Sequence, residues 1–259
     1  MVNLPTTQDW QAQDAKSQRY QARRMEVYAA MAEAMDHQVG RLVAHLKANG
    51  QYDNTVFLFL SDNGAEGSDY DMAQAWLMTQ YSQDLDRLGG PGAYSIQGPS
   101  WASASVSPLN GFKFFAGEGG IRVPFIASWK NHITAGQVID APVASIDATA
   151  TALTVAGALA PEPSTKAETT LDGINLMPLL TGKTTQLPDR PLFWRVGKKN
   201  ALRLGDWKLI RDGKEWQLYD LSHDISETQN LATQEPVRLQ QMSALWDKWN
   251  AEQIEPLWR

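Results

Sequence analysis

A chain of 259 residues with a formal net charge of −6 has room for one sizeable domain or two modest ones, and its negative balance argues against a broad basic face for nucleic acid. Apolar residues at 43% and charged residues at 20% suit a globular domain, and no run approaches the roughly 18 apolar residues that span a bilayer, so neither nucleic acid nor membrane is expected as a partner. Cysteine is absent, which removes disulfides, thiolate ligands and thiol nucleophiles together.

Residues 1–16 are polar and read as an extended arm. No basic stretch followed by an apolar run opens the chain, so a cytoplasmic location is expected for it, and a periplasmic one for a longer parent. From Ser17 to Asn49, Met25, Tyr28, Met31, Met35, Val39, Leu42 and Leu46 recur at steps of three or four. That spacing predicts one long helix, capped at Gly50. Asn54 to Leu60 is a short apolar run rich in aromatic and branched residues, as expected of a strand buried on both faces of a parallel sheet. It ends in Ser61-Asp62-Asn63-Gly64, at the kind of strand end where ligands gather in open sheets.

Residues 65–110 are irregular apart from a helix expected over Met72 to Leu88. Ile121 to Trp129 is the next expected strand, with Pro124 marking an irregular entry or an edge, and Asp147 to Ala158 reads as a short helix. Pro161, Pro163 and the polar run to residue 170 form the best linker, dividing residues 1–160 from 161–259. Beyond it, Pro191 to Val196, Ala201 to Arg211 and Glu215 to Leu221 read as successive strands, with turns at Gly205-Asp206 and Asp212-Gly213. A helix from Glu235 to Ala251 closes a small α+β module, and Trp194, Trp207, Trp216, Trp246 and Trp249 recur at core spacing.

The segment Phe59-Leu60-Ser61-Asp62-Asn63-Gly64-Ala65-Glu66-Gly67 resembles the metal-binding stretch of type I sulfatases, within the alkaline-phosphatase-like superfamily. Lys113-Phe114-Phe115-Ala116-Gly117-Glu118-Gly119-Gly120-Ile121-Arg122-Val123-Pro124 is similar to the family's lysine segment in the form used by bacterial arylsulfatases. Met25 to Met31, Gly205 to Leu209 and Trp216 to Leu221 extend the resemblance in order from about residue 20 onward. The fold it implies is α/β: part of an alkaline-phosphatase-like sheet with flanking helices, plus the C-terminal antiparallel-sheet and helix module.

The resemblance further implies that Asp62 and Asn63 bind a divalent metal, calcium in the family, and that Lys113 contacts the sulfate of a small-molecule ester. The residue types agree, since carboxylate and amide oxygens suit a hard cation and an ammonium suits a tetrahedral oxyanion. The family's nucleophile is a formylglycine made from Cys or Ser in a C/S-x-P-x-R segment, and this chain holds no such segment. The chain is therefore expected to correspond to the C-terminal portion of an arylsulfatase, with weak metal binding and no sulfatase turnover of its own.

Two other functions compete with that reading. A metal-activated water could replace the missing nucleophile and serve activated phosphodiesters or phosphotriesters. Alternatively, the chain is a non-catalytic module that forms a homo-oligomer through a bare sheet edge at Val56–Leu60. Glu66, Asp69 and Asp71 read as a solvated acidic loop, or as replacement carboxylates for the metal. His37, His45 and His223 read as surface residues, His132 is the histidine to test, and Arg122 is expected to anchor the turn near Glu118.

Overall fold

The computed structural model describes residues 6–69, 79–158 and 171–255. The chain divides into two compact units that interleave along the sequence. One comprises Met1–Leu42, Asn63–Val123 and Phe193–Arg259, the other Val43–Asp62 and Pro124–Leu192. The expected linker at 159–170 lies outside the described residues.

The first unit begins with most of helix α1, Ala15–Ala48, whose end is followed by Gly50 at φ 67°. Its early turns are fastened by polar contacts. The Arg23 guanidinium donates to the Leu88 carbonyl, buried Arg24 donates to the Ile96 carbonyl, and the Trp101 indole N–H donates to the Gln21 carbonyl at 2.9 Å. The periodic apolar stripe beyond them behaves differently. Tyr28, Met31, Met35, Val39 and Leu42 are between 41% and 64% exposed. Spacing gave the helix correctly, but the face that it marks as core meets solvent here.

The C-terminal part of this unit packs as its alternation requires. Strands β3 (Leu192–Val196), β4 (Lys199–Leu204), β5 (Trp207–Asp212) and β6 (Gln217–Asp220) form a sheet in sequence order. Gly205 takes φ 58° and Gly213 φ 115° at the expected turns, a conformation that costs glycine little. Leu202 stands opposite Leu209, and Leu209 opposite Leu218, so three leucines form one ladder. Against it, Met242 and Trp246 of the closing helix (Pro236–Ala251) complete a buried cluster. The other face buries Ala201, Ile210 and Tyr219 against Ala116. Both faces of β5 are therefore covered.

Between these parts lie a helix at Pro99–Val106 that the sequence reading missed, and a four-residue helix at Glu118–Ile121. The expected helix over Met72 to Leu88 falls partly outside the described residues. Its second half is not helical: Ser82 donates its N–H to the Gly92 carbonyl at 2.8 Å, and a turn spans Asp84 to Leu88. Buried Leu88 anchors that turn, so one apolar contact rather than a helical face satisfies the segment.

In the second unit, β1 (Phe57–Leu60) pairs with β2 (Phe125–Ser128). The pairing is antiparallel, Phe57 opposite Ser128 and Leu60 opposite Phe125, which corrects the expected parallel strand buried on both faces. Phe59 and Ile126, directly opposite one another, are 40% and 60% exposed. Among the described residues β1 has β2 as its one partner strand, and its residues are half-buried apart from exposed Phe59. Further along, a helix at Ser145–Val155 places wholly buried Asp147 to accept the Ala144 and Ile174 amides and to pair with Arg190.

These burial patterns separate two apolar surfaces. Trp246→Ala is expected to cost about 3–5 kcal/mol, because it empties a packed site. Met31→Ala and Met35→Ala are each expected to stay within about 0.5 kcal/mol in urea unfolding. A large loss at Met31 would mean that the stripe is packed in solution.

Candidate functional site

Beyond β1 the chain bends through Asp62, Asn63 and Gly64. Asp62 is exposed and Asn63 is half-buried. Within the first unit, the loop beginning at Asn63 is stitched to the lysine segment by backbone bonds. The Gly64 N–H donates to the Gly120 carbonyl at 2.9 Å, and the Lys113 N–H donates to the Ala65 carbonyl at 3.0 Å. A Cβ at Gly64 would stand 1.9 Å from the Gly119 oxygen, and one at Gly120 would stand 2.1 Å from the Phe115 oxygen. The paired glycines thus bring the chain close to itself. No side chain fits where one backbone lies against another.

Lys113 and Phe114 form the tip of this knot. The Phe115 N–H returns to the Phe112 carbonyl at 2.9 Å, making a tight turn with Lys113 and Phe114 at its centre. Phe112 is buried and meets the Phe115 ring edge-on at 4.9 Å, which fixes the base of the turn. The Lys113 ammonium lies 2.8 Å from a Glu66 carboxylate oxygen and 5.4 Å from the centre of the Phe114 ring. Partial burial pushes the Glu66 carboxyl up, but hydrogen bonds from Lys113 and Ser68 outweigh it and hold the group below its ordinary value. Phe114 itself takes φ 73°, where a bulky side chain costs on the order of 1–3 kcal/mol.

A buried ion cluster underlies the knot. The Lys208 ammonium, wholly buried on β5, lies 2.6 Å from one Glu118 oxygen and 3.1 Å from a Glu227 oxygen. The second Glu118 oxygen is 3.3 Å from Arg203, and the Glu118 N–H donates to Glu227 at 2.8 Å. Burial pushes the Glu118 carboxyl up, yet Lys208, Arg203 and Arg122 outweigh that and hold it below its ordinary value. Glu227 goes the other way: burial, with the neighbouring Glu118 charge adding to it, pushes its carboxyl up against the pull of Lys208. The four-residue helix after Lys113 is thereby fastened to the C-terminal sheet.

Sequence reasoning put Arg122 beside Glu118. Arg122 does bear electrostatically on that carboxylate, but Lys208 and Arg203 make its ion pairs. The signal for Lys208 was its place within Trp207-Lys208-Leu209-Ile210, where three large apolar neighbours imply burial on both faces. A buried ammonium then requires acids. Glu66 and Asp69, read as a solvated loop or as substitute metal ligands, are partly exposed and pair with cations, Glu66 with Lys113 and Asp69 with Arg24 at 3.6 Å. Asp71 lies outside the described residues. His37 and His45 are exposed, His223 is exposed beside Asp220, and exposed His132 stacks on Trp129 at 3.9 Å.

Asp62 and Asn63 offer hard oxygen donors of the kind Ca²⁺ or Mg²⁺ takes. Among the described residues, no group of three or more His, Asp or Glu side chains gathers to hold an ion. A calcium shell of roughly six to eight oxygens would need further donors beside this pair. The residues fit such a cation in kind and supply only part of its shell.

A family model described as Sulfatase matches residues 4–158, and one described as N-sulphoglucosamine sulphohydrolase, C-terminal, matches residues 112–254. An uncharacterized sulfatase of Schizosaccharomyces pombe is 33% identical over 265 residues, covering 95% of this chain and 47% of the relative. The arylsulfatase of Klebsiella aerogenes is 33% identical over 162 residues, covering 61% and 34%. The crystal structure of Ps i-CgsB in complex with k-i-k-neocarrahexaose superposes with a TM-score of 0.65 at 31% identity, over 89% of this chain and 44% of that one. The chain thus spans about half, or less, of the length of these relatives.

The ion cluster yields a test with opposed signs. Glu118, held low, contributes stability that is present above its ordinary value of 4.5 and lost as pH falls through its lowered one. Glu227, pushed up, contributes stability that is present below 4.5 and lost as pH rises through its raised value. Glu118→Gln is therefore expected to cost about 3–5 kcal/mol near neutral pH, less under acid. Glu227→Gln keeps an oxygen for the Glu118 amide, so it should cost much less and flatten the decline as pH rises. Melting temperatures across a pH series check both; equal losses from the two variants would contradict the assignment.

Proposed function

The chain belongs to the sulfatase family, and from that premise we propose that it supplies the oxyanion-binding side of a sulfate-ester hydrolase. Lys113 takes the sulfate, and Asp62 and Asn63 contribute oxygens to a divalent cation, calcium in kind, which when bound would neutralise charge on the ester. The observation that carries this reading is the backbone stitching of the Asn63–Gly67 loop to the Lys113 turn. It joins the metal-type and lysine-type segments through geometry that their glycines require.

Lys113 acts here as a point charge on a flexible stem, held at its base by the Ala65 carbonyl. Glu66 occupies it in the absence of an anion, so an incoming sulfate must displace that carboxylate or share the ammonium. No cysteine and no Ser-x-Pro-x-Arg segment are present to become a formylglycine. Sulfatase turnover accordingly requires the nucleophile-bearing half of the fold. The solvent-facing stripe from Tyr28 to Leu42 supports this, because helical spacing of large apolar residues is the mark of a face that packs.

A second reading, homo-oligomerisation, is favoured by the exposed Phe59–Ile126 pair and by an edge of β1 that pairs with no other strand among the described residues. Light scattering separates the two: a monodisperse monomer removes the oligomer.

The catalytic reading is tested with nitrophenyl esters. With Ca²⁺ or Mg²⁺ the purified chain is expected to hydrolyse neither the sulfate nor the phosphodiester. Co-expression with the N-terminal half of the Klebsiella arylsulfatase and a formylglycine-installing enzyme should restore sulfate hydrolysis, and Lys113→Ala should abolish it. Phosphodiester turnover by the chain alone would favour a phosphoesterase instead. Independently, Glu66→Gln should tighten binding of inorganic sulfate about two- to fivefold by calorimetry, the scale of an exposed ion pair removed as a competitor. Unchanged affinity would place sulfate away from Lys113.

A further inference from the structure

Three phenylalanines surround Lys113, and the fold uses two of them. Phe112 is buried, and Phe115 is half-buried edge-on to it. Phe114 is 57% exposed, and its ring meets the Lys113 ammonium at 5.4 Å. Its backbone is the costly one in the turn. In the bend closed by the Phe115 N–H and the Phe112 carbonyl, Phe114 holds the position after Lys113 at φ 73°, where turns of this sign ordinarily carry glycine.

The surroundings impose that conformation. A Cβ at Gly120 would strike the Phe115 and Phe112 oxygens at 2.1 and 2.7 Å, and one at Gly111 would meet the Phe115 side chain at 2.7 Å. The turn cannot relax without parting from the Gly119-Gly120 backbone behind it. A phenylalanine here therefore accepts strain and gains little burial for its ring. Backbone strain maintained next to a proposed ligand-binding group, without a packing return, points outward to a ligand.

Resting on the Lys113 reading above, we propose that Phe114 is a specificity-determining residue. Its ring is a platform for the aromatic ring of an aryl sulfate whose oxyanion sits on Lys113. Offset or edge-on contact between two rings demands a centroid spacing of about 4.5–7 Å. The Phe114 ring lies 5.4 Å from the Lys113 ammonium, so an oxyanion held on that ammonium carries its ester group beside the ring. Phe114 thus confers preference for an aryl over an alkyl ester, and Lys113 confers affinity for the anion.

The experiment compares 4-nitrophenyl sulfate with methyl sulfate binding to the full chain by NMR titration. Native protein, Phe114→Gly and Lys113→Ala are used. Native protein should bind the aryl ester about fivefold more tightly than the alkyl one. Phe114→Gly should bring that ratio near one, with the loss falling on the aryl ester more than on methyl sulfate. Because glycine relieves the strained φ, the variant's melting temperature should equal or exceed the native value, which guards against a folding artefact. Lys113→Ala should weaken both esters. A ratio that survives Phe114→Gly, or a lowered melting temperature in that variant, overturns the platform and leaves the lysine reading standing. Unchanged binding in Lys113→Ala, or no binding of either ester by native protein, overturns the lysine reading and the platform with it.

Discussion

The buried Lys208–Glu118 ion pair is the contact on which the rest of the first unit depends. An ammonium with no exposed surface is tolerable only if carboxylates surround it, and Glu118 and Glu227 do so at 2.6 and 3.1 Å. Glu118 begins the four-residue helix that follows Lys113, and Lys208 is the second residue of β5. The pair therefore fastens the lysine turn to an inner strand of the sheet. Glu227 adds a second tie, because its carboxylate also receives the Glu118 amide. Replacing such a pair by apolar groups could match its stability, so its value here is specificity of placement.

From that anchor the candidate site follows by backbone contact. The Gly119 N–H bonds the Asn110 carbonyl, the Gly64 N–H bonds the Gly120 carbonyl, and the Lys113 N–H bonds the Ala65 carbonyl. The first two links need a missing side chain at Gly64, Gly119 and Gly120, where a Cβ would strike the facing backbone, which explains why glycine is dense in Gly117-Glu118-Gly119-Gly120. Backbone-to-backbone packing positions the base of a side chain more firmly than loop contacts do, and a site for an oxyanion gains from such preorganisation. Lys113 is thus fixed at its root by the backbone, while its ammonium is held by Glu66.

Much of this was legible in the residues. Alternating apolar positions and glycine turns marked β4, β5 and β6, and three- and four-residue steps marked α1 and the closing helix. The elements that failed had competing signals. Met72 to Leu88 had helical spacing, and Thr79 and Gln80 are helical, yet from Tyr81 onward the segment is organised by a single buried leucine and by turn bonds. The apolar run at Phe57–Leu60 suggested a strand covered on both sides, but composition cannot say whether the covering layers are present. The same limit applies to α1, whose spacing identifies a packing face and not its occupant. Lys208 was missed because one lysine in a strand reads as solvated, and only its contacts across 90 residues of sequence reveal the acids that surround it.

The central claim is that the lysine turn and the C-terminal sheet are one cooperative element joined through Lys208. Hydrogen exchange of the Gly64, Lys113 and Gly119 amides, compared with that of Leu209 on β5, tests it most directly. In the native protein all four should exchange slowly, and Lys208→Met should accelerate the three turn amides together. Turn amides that exchange freely in the native protein, or that stay protected in Lys208→Met, would contradict the account.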